Sequence, residues 1–153
     1  MATRRRYIST GIWKSDLFRK HLTSIDEKFL YLYLLTSPQS SLCGFYMLSI
    51  ELVGKHTKIK ESRILEILQK LEALNEVIFD TGYLWLPGYI ELQDGINAVT
   101  PYHVPGIAGE YDGQQNNKAF NAFCQRFAAI LSPSAEAKSI SNIFDVNQSP
   151  NLT

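Results

Sequence analysis

A helical pattern that runs directly into two short apolar segments constrains this chain more than any other feature. Between positions 61 and 74, apolar side chains recur every three or four residues, as in an amphipathic helix: Ile64, Leu65, Ile67, Leu68, Leu71 and Leu74. Asn75 follows, and asparagine tolerates the positive φ that ends many helices. The next two apolar segments meet at Thr81-Gly82, which is typical of a tight hairpin turn. The sequence therefore predicts a helix followed by a small β-hairpin.

The segments upstream predict a second helix, a strand and a third helix. The stretch "FLYLYLL" is apolar on nearly every side and follows a cap at Thr23 or Ser24, so we expect a central helix there. A short strand is predicted for residues 45–48, after a glycine. Ser49 then caps another helix, which Gly54 should stop or bend.

Taken in order, these elements predict the fold class. Helix, strand, helix, turn, helix and hairpin follow each other as in a winged helix-turn-helix. We therefore predict an α+β, mainly α fold, with a three-helix core and a small β-wing in residues 1–92, preceded by a basic N-terminal arm. Residues 93–117 have no periodicity and are predicted to be a loop or linker. An extra C-terminal helix is predicted for residues 118–131, and a flexible tail for residues 132–153.

The predicted C-terminal helix carries an apolar stripe that has two interpretations. Its members are Phe120, Phe123, Cys124, Phe127, Ile130 and Leu131. The stripe either packs back on the rest of the domain or forms a surface for a homodimer or another partner. A two-fold dimer would suit a pseudo-palindromic DNA site.

The charge of the chain is zero overall but unevenly placed. Residues 1–70 carry 12 Lys and Arg against 6 Asp and Glu, whereas residues 71–153 carry 3 against 9. Such asymmetry points to an acidic partner for the first half, such as nucleic acid.

Other classes of function find little support in the sequence. The longest apolar run is far shorter than the roughly 20 residues that span a bilayer, and no apolar stretch follows the basic N-terminus as in a secretory signal. Two cysteines form neither a disulfide framework nor a metal site, which favours the reducing cytoplasm. No catalytic motif and no cofactor motif is present, so we expect neither an enzyme nor a bound cofactor.

The stretches "KFLYLYLLTSPQSSLCGFYMLSIELVGKHTKI" and "ILQKLEALNEVIFDTGYLWLPGYI" extend this interpretation. Over about residues 7–90, the chain resembles the N-terminal winged-helix domain of phage replication-organiser proteins, which are related to the DnaD-like replication initiators. That family pattern has a "FLYLLTNP" helix, a "CGIY" turn and a "GYIWI" strand. The resemblance implies double-stranded DNA binding, typically at a phage or plasmid replication origin, and contact with host replication proteins in the bacterial cytoplasm.

Candidate DNA contacts cluster at the start of the helix that precedes the hairpin. In a helix-turn-helix, the N-terminal end of this helix enters the major groove, and a basic turn before it lies near phosphates. The predicted contacts are Lys55, His56, Lys58, Lys60, Ser62, Arg63, Gln69 and Lys70, with Arg4, Arg5 and Arg6 in the arm. We expect Arg63 on the exposed face, within reach of a guanine edge. The alternative is a solvated basic turn, and Glu66 on the same face speaks against close phosphate contact.

A second hypothesis gives the same scaffold a different class of function. The neutral total charge, the acidic second half and a wing that carries Asp80 without Lys or Arg are compatible with a protein-interaction module. Such a module would be a phage-encoded inhibitor that binds a host complex. Both hypotheses use the same fold, because fold alone does not determine function.

Overall fold

A computed structural model describes residues 5–41, 43–89, 93 and 116–131, with only the backbone for residues 127–131. A 3-10 helix (Thr10–Lys14) and a π-helix (Leu17–His21) come first. They are followed by α1 (Ile25–Thr36), β1 (Phe45–Met47), α2 (Ile50–Thr57), α3 (Glu61–Ala73), β2 (Ile78–Asp80), β3 (Tyr83–Trp85) and α4 (Lys118–Leu131). The protein is thus α+β and mainly helical, with one small antiparallel sheet in the order β1-β3-β2. This arrangement is compatible with a winged helix. Within the described chain, no helix combines the length and the apolarity needed to cross a bilayer.

The helix ends follow local capping signals. Ser24, one of the two predicted cap positions, accepts a hydrogen bond from the Glu27 backbone N–H, and the Glu27 side chain accepts one from the Ser24 N–H, so that α1 starts with a capping box. Asn75, with φ 61°, follows α3 as expected. The predicted stop at Gly54 is wrong, because α2 continues to Thr57. Its end is set instead by Lys58, which adopts a left-handed φ of 65° and donates its N–H to the Gly54 carbonyl.

The three central helices and one face of the sheet enclose the main core. Because side chains alternate along a strand, Tyr46 of β1 and Leu84 of β3, which face each other, share one side of the sheet. Both are buried with Leu30 and Leu34 of α1 and with apolar residues of α3. The Tyr46 hydroxyl donates to the Leu34 carbonyl at 2.7 Å, so the one polar atom of this ring is satisfied inside the core.

The opposite face of the sheet is covered by α4. The Phe123 ring stacks on Phe45 of β1, with centroids 5.0 Å apart and planes at 18°, and meets Trp85 of β3 edge-on at 6.3 Å. The ring centroids of Phe120 and Phe45 are 5.8 Å apart. This confirms that the C-terminal helix packs back on the domain over Ala119 to Cys124. The side chains of Phe127, Ile130 and Leu131 lie outside the described residues.

The hairpin turn holds a strained residue that the sequence analysis missed. Thr81 has φ 47° and Gly82 has φ 82°, so both central residues of the turn need positive φ. A β-branched residue adopts this conformation at a cost of about 1 kcal/mol or more.

Thr81→Asn should therefore stabilise the protein by about 0.5–1 kcal/mol, because Asn-Gly is the preferred pair in such turns. Urea denaturation of both proteins measures this difference, and a variant no more stable than the parent would contradict it.

Candidate nucleic-acid interface

A three-residue turn joins α2 to α3 and carries two exposed lysines. Thr57 accepts a hydrogen bond from the Ile59 N–H through its hydroxyl, and Ile59 packs partly against the core. Lys58 and Lys60, on either side of Ile59, are exposed. Lys60 is also the N-cap residue of α3, where its side chain makes no capping bond. The backbone of the turn therefore places the Cα atoms of both lysines at the N-terminal, positive end of α3.

These two lysines differ from the other cations in the cluster. Within the described residues, neither Lys58 nor Lys60 contacts an acidic side chain. Lys55 pairs with Glu51 one helical turn earlier at 3.0 Å, but both side chains are about 70% exposed (69% and 72%). Exposed pairs of this kind contribute little, so Lys55 is easily redirected to another anion.

His56 is tied to α1 through one of its two ring nitrogens. Its Nδ1 and the Tyr33 hydroxyl share a hydrogen bond of 2.7 Å, and the two rings are 5.7 Å apart. The Nε2 atom remains on an exposed side chain next to the basic turn. This bond also fixes where the turn lies, because it brings the C-terminal end of α2 against the middle of α1.

Arg63 links α3 to the first turn of α1 and also pairs with Glu66 on the exposed face of α3. Its Nε donates to Asp26 Oδ2 at 2.7 Å, its Nη1 to Glu66 Oε1 at 3.0 Å and its Nη2 to Ser24 Oγ at 3.3 Å. The hydrogen bond from Arg63 holds the pKa of Asp26 well below its usual range. The sequence analysis expected Arg63 to face a guanine edge. In the structure its guanidinium is committed to α1, and contact with a base would require these bonds to break.

Lys70 is committed in the same way, about two turns further along α3. Its Nζ lies 2.5 Å from Glu27 Oε2, and the Glu27 side chain is only 5% exposed. Burial raises the pKa of Glu27, but the Lys70 ammonium and the Ser24 N–H and hydroxyl outweigh burial and lower it to about 2. Arg63 and Lys70, both predicted DNA contacts, thus fasten α3 to the first turn of α1.

The outward face of α3 is therefore polar and acidic rather than basic. Its exposed members are Glu61, Ser62, Leu65, Glu66, Gln69 and Ala73. Ser62 and Gln69 are exposed as predicted, and their hydrogen-bonding groups point away from the core. In the described part of α3, both cations belong to the pairs with α1, so the free positive charge lies in the turn and not on the helix.

Arg6 of the N-terminal arm is held apart from Arg63, at the other end of α1. The Arg6 guanidinium donates hydrogen bonds to the hydroxyl and the carbonyl of Ser40. The backbone N–H of Tyr7 donates to the side-chain oxygen of buried Gln93, and the side-chain amide of Gln93 donates to the Tyr7 carbonyl. Ser40 lies beyond the C-terminal end of α1, whereas Arg63 binds its first turn, and twelve residues of helix span about 18 Å. Arg5 is exposed and Arg4 lies outside the described residues.

The wing residue Asp80 has a role that the sequence did not reveal. Its carboxylate accepts the Lys118 backbone N–H at 2.8 Å, and its carbonyl accepts the Asn117 side-chain amide at 2.7 Å. Asn117 in turn caps α4 by accepting the N–H groups of Ala119 and Phe120. The acidic wing therefore anchors the start of α4. The signal for this contact was the Asn before the C-terminal helix, but nothing local paired it with Asp80.

The described residues contain neither a metal-binding cluster nor an exposed thiol. They include no group of three His, Cys, Asp or Glu side chains placed to hold a metal ion. Cys43 and Cys124 are buried, which raises the pKa of each thiol to about 12 and keeps both protonated at neutral pH. What the cluster offers is charge and hydrogen bonding.

Comparison of the chain with protein-family models, with curated proteins and with solved structures found no match.

Proposed function

We propose that this chain is a double-stranded DNA-binding protein of winged helix-turn-helix type. It contacts DNA mainly through the turn between α2 and α3. One observation carries the proposal. Lys58 and Lys60 are exposed, are held by a rigid turn at the N-terminus of α3, and have no acidic partner in the described chain. Cations placed in this way suit phosphate oxygens, and displaced counterions favour the complex.

The division of charge on α3 suggests how affinity and specificity would be shared. The DNA backbone would be contacted by Lys58 and Lys60. Lys55 would join them by exchanging its partner Glu51 for a phosphate. Ser62 and Gln69 are uncharged and exposed, and such side chains hydrogen-bond to base edges in the major groove. Because Arg63 is held by Asp26, we expect backbone contacts to dominate and guanine readout to be weak.

The resemblance of residues 7–90 to phage replication organisers bears on the biological role. On that basis we propose a role in replication initiation or transcriptional control in the bacterial cytoplasm, with host replication proteins as further partners and a homodimer as a possible assembly. Both roles use the same docking chemistry, so DNA binding is the property to test first.

Lys58→Ala/Lys60→Ala should weaken binding to duplex DNA by roughly tenfold to thirtyfold, because about 1 kcal/mol is lost for each phosphate contact. The measurement is fluorescence anisotropy with a labelled random duplex at several salt concentrations. The slope of log affinity against log salt should fall in magnitude by about 2, since each released counterion contributes roughly 0.9.

Lys14→Ala/Arg19→Ala is the matched control, since it removes two exposed cations from the other side of α1. Its affinity for the duplex should stay within about twofold of the parent. Equal affinity of the Lys58/Lys60 variant and the parent for every duplex would remove the turn from the interface.

A second candidate function rests on the outward face of α3. Leu65 is 44% exposed there between Glu61 and Glu66, which suits a protein partner better than a phosphate backbone. In this case the chain is a protein-interaction module or inhibitor that binds a host complex. Absence of duplex binding even at low salt would favour it, and Leu65→Lys should then abolish capture of the host complex while Lys58→Ala/Lys60→Ala leaves it intact.

A further inference from the structure

Trp13 is a large aromatic side chain left open to solvent on the 3-10 helix. It is 60% exposed, whereas the other tryptophan, Trp85, is 6% exposed beneath α4. A tryptophan contributes more by burial than any other side chain, so one held in water is unusual for a domain with a closed core. Phe18, which the indole contacts, is 2% exposed and belongs to the main core.

The indole of Trp13 is fixed in position rather than loose. It meets the Phe18 ring edge to face, with centroids 5.4 Å apart and planes at 83°, and Phe18 meets Tyr31 of α1 in the same manner at 6.0 Å. Its helix is capped at both ends: Ser9 accepts the Gly11 N–H, and the Ser15 hydroxyl donates to the Ile12 carbonyl at 2.6 Å. Most of the ring surface therefore stands in solvent on a rigid support.

The charged residues nearest to Trp13 in the chain are mainly basic, while the Glu76 carboxylate, which accepts a hydrogen bond from the Tyr31 hydroxyl, lines a cavity beside the same 3-10 helix. Lys14 follows Trp13 in the chain, and Arg19 follows Phe18, on which the indole rests. Both cations are exposed, and neither contacts a carboxylate in the described residues. The single carboxylate of the two short helices and their linker, Asp16, is paired with Lys20 at 3.3 Å.

This surface lies on the opposite side of α1 from the basic turn. Phe18 packs on Tyr31, whereas His56, which leads into the turn, binds Tyr33. Side chains that are two residues apart on an α-helix point in directions roughly 160° apart, because each residue turns the helix by about 100°. One short duplex bound at Lys58 and Lys60 would therefore leave Trp13 free.

We propose that Trp13, Lys14 and Arg19 form a second binding site, which takes single-stranded nucleic acid by stacking an unpaired base on the indole. An open aromatic face flanked by unpaired cations is the combination that sequence-independent single-strand binding uses: the ring receives the base and the cations contact the phosphates on either side of it. A protein partner would need apolar or acidic surroundings in addition, and the neighbours of Trp13 on its helix, Ile12 and Lys14, offer one half-buried side chain and one cation. The site stands on its own contacts and does not require the turn between α2 and α3 to bind duplex DNA.

The two tryptophans make the test direct. Titration with oligothymidylate should quench the red-shifted emission of solvent-exposed Trp13, and the emission of buried Trp85 should not change. Trp13→Phe keeps an aromatic ring against Phe18, so it should fold as the parent does by circular dichroism. It should show no quenching, whereas Trp13→Ala, which removes the stacking ring altogether, should bind labelled oligothymidylate about tenfold more weakly.

The charge variants separate this site from the proposed duplex site. Lys14→Ala/Arg19→Ala should weaken single-strand binding and reduce the magnitude of its salt slope by about 1.4, at roughly 0.7 for each phosphate on a single strand. Lys58→Ala/Lys60→Ala should leave the quenching of Trp13 unchanged, so the two sites can fail independently.

Two results would overturn the proposal. Oligothymidylate that binds to saturation without changing Trp13 emission would show that no base stacks there. Equal affinity of Trp13→Ala and the parent would assign single-strand binding to another surface and leave a protein ligand as the reason for the exposed indole.

Discussion

Phe123→Ala is expected to lower the free energy of unfolding by about 3–4 kcal/mol, which is typical of a fully buried phenylalanine. Phe123 is 0% exposed, its ring stacks on Phe45 and it meets Trp85 edge-on. Removing the ring opens a cavity between α4 and the sheet and uncovers one face of two aromatic side chains. Because Phe45 and Trp85 belong to paired strands, the loss should reach the whole domain rather than release α4 alone.

Urea denaturation followed by both circular dichroism and Trp85 fluorescence measures this effect, in a Trp13→Phe background so that Trp85 is the only tryptophan. Both signals should change at the same urea concentration. Gln125→Ala is the matched control, since Gln125 is exposed on the same helix, and it should cost less than about 0.5 kcal/mol. A loss below about 1 kcal/mol for Phe123→Ala would mean that α4 contributes little to the fold.

The features that the sequence predicted are those set by neighbours in the chain. The helix cap at Ser24, the end of α3 before Asn75 and the hairpin at Thr81-Gly82 each depend on a few adjacent residues, and all three are present. Gly54 misled because glycine lowers helix propensity without forbidding a helix. A left-handed Lys58 ends α2 instead, and no composition rule favours lysine in that conformation.

The features that the sequence missed depend on contacts between distant segments. Arg63 and Lys70 were placed on an outward face by helical periodicity, which is correct for their Cα positions. Long side chains lie across the helix surface, however, and here they reach Asp26 and Glu27, which are 37 and 43 residues away. The same reasoning assigned Asp80 to an acidic wing, because its partners Asn117 and Lys118 lie 37 and 38 residues further along the chain.

This division of the cations changes where binding and stability should be sought. Arg63 and Lys70 hold α1 against α3, and Arg6 holds the N-terminal segment to Ser40. Lys58 and Lys60, and on the other side of α1 Lys14 and Arg19, remain for ligands. A mutational scan of the basic residues should therefore separate into variants that lose stability and variants that lose binding.

Lys70→Met is expected to lose stability rather than binding. Its free energy of unfolding should fall by about 3 kcal/mol at neutral pH. The methionine keeps the aliphatic volume but leaves the buried Glu27 carboxylate without its cation. Thr23 and Ser24 still donate to that carboxylate, and the Lys70 side chain is 40% exposed, so we expect the lower end of the range for a broken buried pair. Lys55→Met removes a cation from an exposed pair instead and should cost less than about 0.5 kcal/mol.

The pH dependence of stability distinguishes loss of the pair from loss of packing. In the parent, the pKa of Glu27 is lowered from 4.5 to about 2, so its contribution is complete above about pH 4.5 and is lost as the pH falls through 2. Without the Lys70 cation, one of the main causes of this lowering is lost, so the pKa of Glu27 in the folded variant is higher than in the parent. The stability gap between parent and Lys70→Met should therefore narrow as both proteins are titrated from pH 7 to pH 3 by urea denaturation. A gap that stays constant would mean that the variant lost packing only, and a loss of duplex affinity at pH 7 with unchanged stability would return Lys70 to the DNA interface.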